Sequence, residues 1–124
     1  MFDHVKFGVS DYAASKAFFL QALAPLGVAV ASERPPAYGV ELCSKAKAYL
    51  CLFQTEEKPA HLRLAFAAED RRQVDAFYRA ALAAGGKDNG APGVRPNYHV
   101  NCYAAFVIGP DGHNIEVVCQ EPET

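Results

Sequence analysis

One pattern occurs twice in this chain, and the repeat limits the fold more than any other feature. Ala17-Phe18-Phe19 lies on an apolar helical stripe, and Ala76-Phe77-Tyr78 lies on a second one 59 residues later. Each stripe follows an alternating segment. In the first, Val5, Phe7 and Val9 share one face, and His4, Lys6 and Gly8 share the other. In the second, Leu62, Leu64 and Phe66 oppose His61, Arg63, Ala65 and Ala67. Period-two alternation predicts strands with one apolar face, and apolar residues at helical spacing predict helices that cover such a face. Ser10 or Asp11, and Asp70, are placed to cap these helices, which are expected over Asp11 to about Leu23 and Asp70 to about Ala84. Pro25 and Gly27 end the first, and Gly85-Gly86 ends the second.

Three strands are expected to complete each half. In the first they are Val28 to Ala31, Tyr38 to Cys43 and Ala48 to Gln54. In the second they are a short strand near Lys87-Asp88, then Cys102 to Ile108, then the segment after Asp111-Gly112. Asp-Gly reads as a hairpin tip. The resulting fold is α+β: two βαβββ modules, residues 1–56 and 60–121, related by a pseudo-twofold axis within a single domain over residues 1–124. Laid on each other, His4 matches His61 at an offset of 57, which implies a two-residue insertion before the second helix. Tyr49–Gln54 matches Ile115–Gln120 at an offset of 66, with Gln54 against Gln120.

If the helices cover the Val5 and Leu64 faces, the opposite faces of two curved sheets are left to form an open trough. His4 and His61 would meet there, with Glu116 on a third strand. A carboxylate on a mostly apolar strand faces either water or a cation. Two imidazoles and a carboxylate suit a divalent metal, with Zn, Mn, Fe and Ni all acceptable. Lys6 and Arg63 are either solvated charges or trough residues that select an anion. The loop Arg95-Pro96-Asn97-Tyr98-His99-Val100-Asn101 is placed to cap a pocket, which makes Arg95, Tyr98 and His99 further substrate contacts. His113, just after the turn, is expected in solvent.

Composition removes other classes. At 124 residues with 51% apolar and 21% charged content, the chain suits one soluble core. A net charge of −2 gives no case for nucleic acid or an anionic membrane surface. No apolar run reaches membrane-spanning length, and Met1-Phe2-Asp3-His4 lacks the features of a signal peptide, so a cytoplasmic location is expected. Cys43, Cys51, Cys102 and Cys119 have no CxxC spacing and read as buried reduced thiols.

Asp3-His4, Gly8-Val9-Ser10-Asp11, His61 and Pro110-Asp111-Gly112-His113-Asn114-Ile115-Glu116 together resemble the vicinal oxygen chelate superfamily. That superfamily includes glyoxalase I, extradiol dioxygenases, fosfomycin-resistance transferases and bleomycin-resistance proteins. The resemblance implies metal ligands at His4, His61 and Glu116, with the fourth position falling on Leu50, which binds no metal. Three ligands with open positions resemble the extradiol and fosfomycin-resistance arrangement more than glyoxalase I. The resemblance implies a lyase, isomerase or transferase acting on a small, oxygen-rich, anionic substrate chelated to the metal, with Tyr103 as acid or base. Its alternatives are a non-catalytic binding protein of the bleomycin-resistance type and an extradiol-type dioxygenase. It also implies a homodimer.

Overall fold

The computed structural model describes residues 3–44, 48–57, 60–96 and 100–122. Module one runs β1 (His4–Val9), α1 (Tyr12–Leu23), β2 (Ala29–Glu33), β3 (Val40–Cys43) and β4 (Tyr49–Gln54). Module two runs β5 (Arg63–Ala67), α2 (Arg71–Ala83), β6 (Lys87–Asp88), β7 (Gly93–Val94), β8 (Tyr103–Ile108) and β9 (Asn114–Cys119). The α+β architecture expected from the repeat is present. The sheet orders are β1-β4-β3-β2 and β5-β9-β8-β6, and β7 adds to β8. In both sheets the first strand runs parallel to the last and the remaining pairs are antiparallel. The β7 pairing immediately precedes the loop read at Arg95–Asn101, and a hydrogen bond from Arg95 N to Cys102 O continues it (2.7 Å).

The helices begin where the caps predicted. Asp11 Oδ1 accepts from Ala14 N at 3.0 Å, and Asp70 Oδ1 accepts from Gln73 N at 2.9 Å. Each such cap stabilises its helix by about 1 kcal/mol. Helix α1 buries Tyr12, Ser15, Phe18, Phe19, Ala22 and Leu23, and α2 buries Val74, Phe77 and Ala81. These stripes pack against each other and against Val9, Leu42, Leu52, Val107, Ile115 and Val117 of the sheets. Phe19 and Phe77 are fully buried, each contributing up to about 3 kcal/mol. Phe7 and Phe18 both meet Phe19 edge-on, with centroids 6.1 and 5.3 Å away.

Register corrects the expected alignment of the halves. Val5 pairs with Leu50, and Leu64 pairs with Ile115; all four belong to the helix-covered core. The caps Asp11 and Asp70 and the strand residues Val5 and Leu64 are both 59 apart, so no insertion separates strand from helix. The hairpin offset becomes 65 rather than 66. Thus His4 corresponds to Arg63, Cys51 to Glu116, and Gln54 to Cys119 rather than Gln120. The physical reason is that an offset of 66 would put Leu50 and Glu116 on the same side of their sheets. Gln54 instead closes the β1–α1 turn, with Nε2 donating to Ser10 O at 2.8 Å and Oε1 accepting from Tyr12 N at 2.9 Å.

The Asp111-Gly112 turn joins the two modules. Both residues have left-handed backbone angles (φ 61° and 77°), which this dipeptide tolerates. The Asp111 carboxylate accepts from Ser10 N at 3.1 Å and from Ser10 Oγ. Beyond the turn His113 is fully buried, not solvated as expected. The turn directs its ring inward, edge-on to Phe7 with centroids 5.1 Å apart. Its Nδ1 accepts from Leu62 N at 2.9 Å, and Nε2 has no partner among the described residues.

Burial holds the His113 imidazole below the ordinary histidine range; Asp111 pulls the other way, and His61 adds to the depression. The folded protein therefore favours neutral His113, and the unfolded chain takes up the proton first as pH falls below about 6.5. Stability from this residue is complete above that pH and falls as pH drops through the lower folded value. Denaturant midpoints followed from pH ~7.5 to ~5 are expected to show this loss in the wild type and not in His113→Gln. His113→Phe is expected to cost about 1–3 kcal/mol at neutral pH by stranding the Leu62 N–H.

Candidate functional site

The sheet faces turned away from the helices carry the polar side chains. In the first sheet these are His4 and Lys6 of β1, Glu41 of β3 and Cys51 of β4. Lys6 and Glu41 flank Cys51 on the two adjacent strands. The Lys6 ammonium stands 5.5 Å from the centroid of the Phe53 ring. Cys51 Sγ approaches Glu41 Oε2 at 4.0 Å, and a cavity of about 120 Å³ opens between His4, Lys6, Arg34, Glu41 and Cys51. Burial, reinforced by Glu41, pushes the Cys51 thiol up, which keeps it protonated and a weak nucleophile. His4 Nδ1 lies 2.8 Å from Asp3 Oδ1. That contact favours the proton on Nδ1 and leaves Nε2 as the available lone pair.

In the second sheet the corresponding face carries Arg63 of β5, Glu116 of β9 and Phe106 of β8. Arg95 follows β7. Phe106 is directly cross-strand from Glu116, and Ala65 flanks Glu116 on the other side. Both guanidinium groups gather at the Phe106 ring, with Cζ 5.8 Å from the centroid for Arg63 and 5.6 Å for Arg95. Arg95 is anchored further by donating to Ala91 O at 2.7 Å. Burial pushes the Glu116 carboxyl up, and the charges of Arg63 and Arg95 draw it back. Among the described residues no side-chain cation comes within 4.0 Å of the Glu116 oxygens.

The sequence-derived candidates therefore divide. Lys6, Arg63 and Arg95 lie on or beside the uncovered faces, as do His4 and Glu116, but the last two stand on different sheets. His61 precedes β5, and its ring packs over Gly112, where an added Cβ would lie 2.8 Å from Nε2. Arg63, not His61, is the β5 residue equivalent to His4. Among the described residues no three His, Cys, Asp or Glu side chains gather at metal-binding spacing. Leu50 lies in the core, so the fourth position passes to its neighbour Cys51. Tyr103 lies on the helix side of its sheet, opposite to Glu116; its hydroxyl donates to Asp75 of α2 at 2.6 Å, and Arg71 covers its ring at 4.9 Å. That placement removes it from acid–base work beside Glu116. Tyr98 and His99 lie outside the described residues.

Phe106, Cys51 and Glu41 were not singled out from the sequence. The signal for Phe106 was available: counting back across the hairpin from Glu116 puts an aromatic residue opposite it. Cys51 was missed because an offset in error by one residue exchanges the two faces of a strand.

The family model described as "Glyoxalase/Bleomycin resistance protein/Dioxygenase superfamily" matches residues 1–117. No curated protein sequence matches the chain. Among solved structures, a glyoxalase/bleomycin resistance protein from Albidiferax ferrireducens T118 is 30% identical with a TM-score of 0.78, the match covering 96% of this chain and 98% of that one. A glyoxalase/bleomycin resistance protein/dioxygenase family enzyme from Burkholderia phytofirmans PsJN is similar in fold at 18% identity and a TM-score of 0.75, over 96% and 98% of the two chains. A lactoylglutathione lyase from Agrobacterium tumefaciens is likewise similar in fold at 18% identity and 0.72, over 96% and 92%.

The placement of Tyr103 generates a direct check. Tyr103→Phe is expected to lower stability by about 1 kcal/mol through the lost hydrogen bond to Asp75. Ligand affinity on the opposite face is expected to stay unchanged; chemical denaturation and calorimetric titration read the two effects separately.

Proposed function

We propose, from the premise that this chain belongs to the glyoxalase/bleomycin resistance protein/dioxygenase superfamily, that it binds a small anionic compound on the uncovered face of its second sheet. The observation that carries this reading is the pair of guanidinium groups held at one aromatic ring. Two like charges brought together on Phe106 attract a carboxylate or phosphate, which guanidinium binds through paired hydrogen bonds. Cation–π contact with Phe106 holds both arginines near one point before the ligand arrives, which reduces the entropy lost on binding. Lys6 is a third cation on the corresponding face of the first sheet.

The superfamily's metal chemistry fits the donor set of one protomer poorly. The position equivalent to His4 is a guanidinium, the position equivalent to Glu116 is a protonated thiol, and His61 lies just before β5 with its ring over Gly112. A family member that binds its ligand through charge and ring stacking, without turnover at a metal, accounts for these residues. A second reading, in which His4, His61 and Glu116 from two copies of the chain close around a divalent ion, draws on one observation. Asp3 orients His4 as a carboxylate orients a metal-binding imidazole.

Thermal-shift and calorimetric titrations with small carboxylates and phosphates are expected to find at least one stabilising anion. Its affinity is expected to fall about tenfold or more in Arg63→Ala and in Arg95→Ala, equivalent to about 1.4 kcal/mol or more. Wild-type affinity is expected to weaken with salt. Metal content of protein purified without a histidine tag decides the second reading. About one divalent ion per chain, lost in both His4→Ala and His61→Ala, would replace the first reading with the second.

A further inference from the structure

The charges around Phe106 are not equivalent, and their difference narrows the ligand. Arg63 and Arg95 offer paired donors for an anion. Glu116, directly across from Phe106, offers only acceptors when ionised. Among the described residues no hydrogen bond or ion pair engages its carboxylate. It is half-buried; the residues directly across from it are Ala65 and Phe106, neither with a side-chain donor, and Asn114, two residues back on the same face, makes no hydrogen bond to it. A half-buried carboxylate loses hydration, and a donor brought by a ligand restores what it lost.

Resting on the anion-binding reading above, we infer that the ligand is an α-amino carboxylate. Its carboxylate is taken between Arg63 and Arg95, and its ammonium group is taken by Glu116. Cross-strand neighbours on one face stand about 5 Å apart, so one small zwitterion spans the ring that carries the guanidiniums and the carboxylate beside it. A plain carboxylate leaves Glu116 facing a second negative charge, and an amine without an acid meets two guanidiniums; both arrangements are repulsive. The zwitterion satisfies all three side chains at once, and its side chain extends away along the sheet face.

The test uses the full chain and three matched sets of probes: free L-amino acids, their N-acetyl derivatives and their α-carboxamides. Binding is read by calorimetry. At least one free amino acid is expected to bind, its N-acetyl derivative about tenfold more weakly or worse, and its carboxamide not measurably. Glu116→Gln, nearly isosteric, is expected to remove the preference for the free amine while leaving N-acetyl affinity within a few-fold of wild type. Arg63→Ala is expected to weaken free and N-acetylated acids alike, and circular dichroism confirms that each variant is folded. An N-acetyl acid that binds as tightly as its parent would overturn the zwitterion and leave the anion reading in place. So would binding of dicarboxylates or phosphates with no amino acid bound. Failure of all three sets, and of the small carboxylates and phosphates as well, would overturn both readings.

Discussion

The parallel pairing of each module's first strand with its last is the constraint on which the rest of the structure depends. It brings together segments about fifty residues apart and fixes which alternate side chains meet the helices. In module one it directs Val5, Phe7 and Val9 inward with Leu50 and Leu52; in module two it directs Leu64 and Phe66 inward with Ile115 and Val117. Everything chemically interesting is then on the other side by exclusion. Register is strongly specified here because a slip of one residue would carry Arg63 and Glu116 into the core and expose Leu64 and Ile115, at a cost of several kcal/mol.

Contacts between the modules turn two marginal units into one core. A βαβββ unit alone has a single helix to cover its sheet, whereas here α1 and α2 pack on each other as well. The turn before β9 strengthens the union, because Asp111 reaches across to Ser10 and His113 inserts beside Phe7. The rim of module one is fixed in a similar way. Glu33 of the exposed edge strand β2 accepts from Tyr12 and Lys16 of α1, and burial together with that carboxylate pushes the Tyr12 phenol up to about 12. Such polar contacts at the ends of the sheets leave their uncovered faces free to carry the cationic side chains and Glu116.

The two faces are chemically unlike despite the repeat. Where module one has His4, Cys51 and Glu41, module two has Arg63, Glu116 and Phe106. The repeat preserves the positions that pack, because the core punishes change at both copies equally. It leaves the positions on the uncovered faces free to diverge, and the proposed ligand contacts lie at those positions.

Much was legible in the sequence because it follows from local periodicity. The alternation of Val5, Phe7 and Val9, the stripes around Phe18-Phe19 and Phe77-Tyr78, and the caps Asp11 and Asp70 determined two βαβββ modules and the membership of their core. The Asp-Gly dipeptide determined the last hairpin. These features depend on residues near one another in the chain, where spacing alone dictates direction. Only the tertiary structure decided which face met which residue across the sheet. It moved the hairpin offset from 66 to 65, exchanged Leu50 for Cys51, set Arg63 in the place given to His61, turned Tyr103 toward α2 and buried His113. Each of those outcomes depends on the register between distant strands or on the direction in which a turn delivers its next residue. Neither is written in the spacing of a single segment, because the free energy that selects them arises only once both sheets and both helices are packed together.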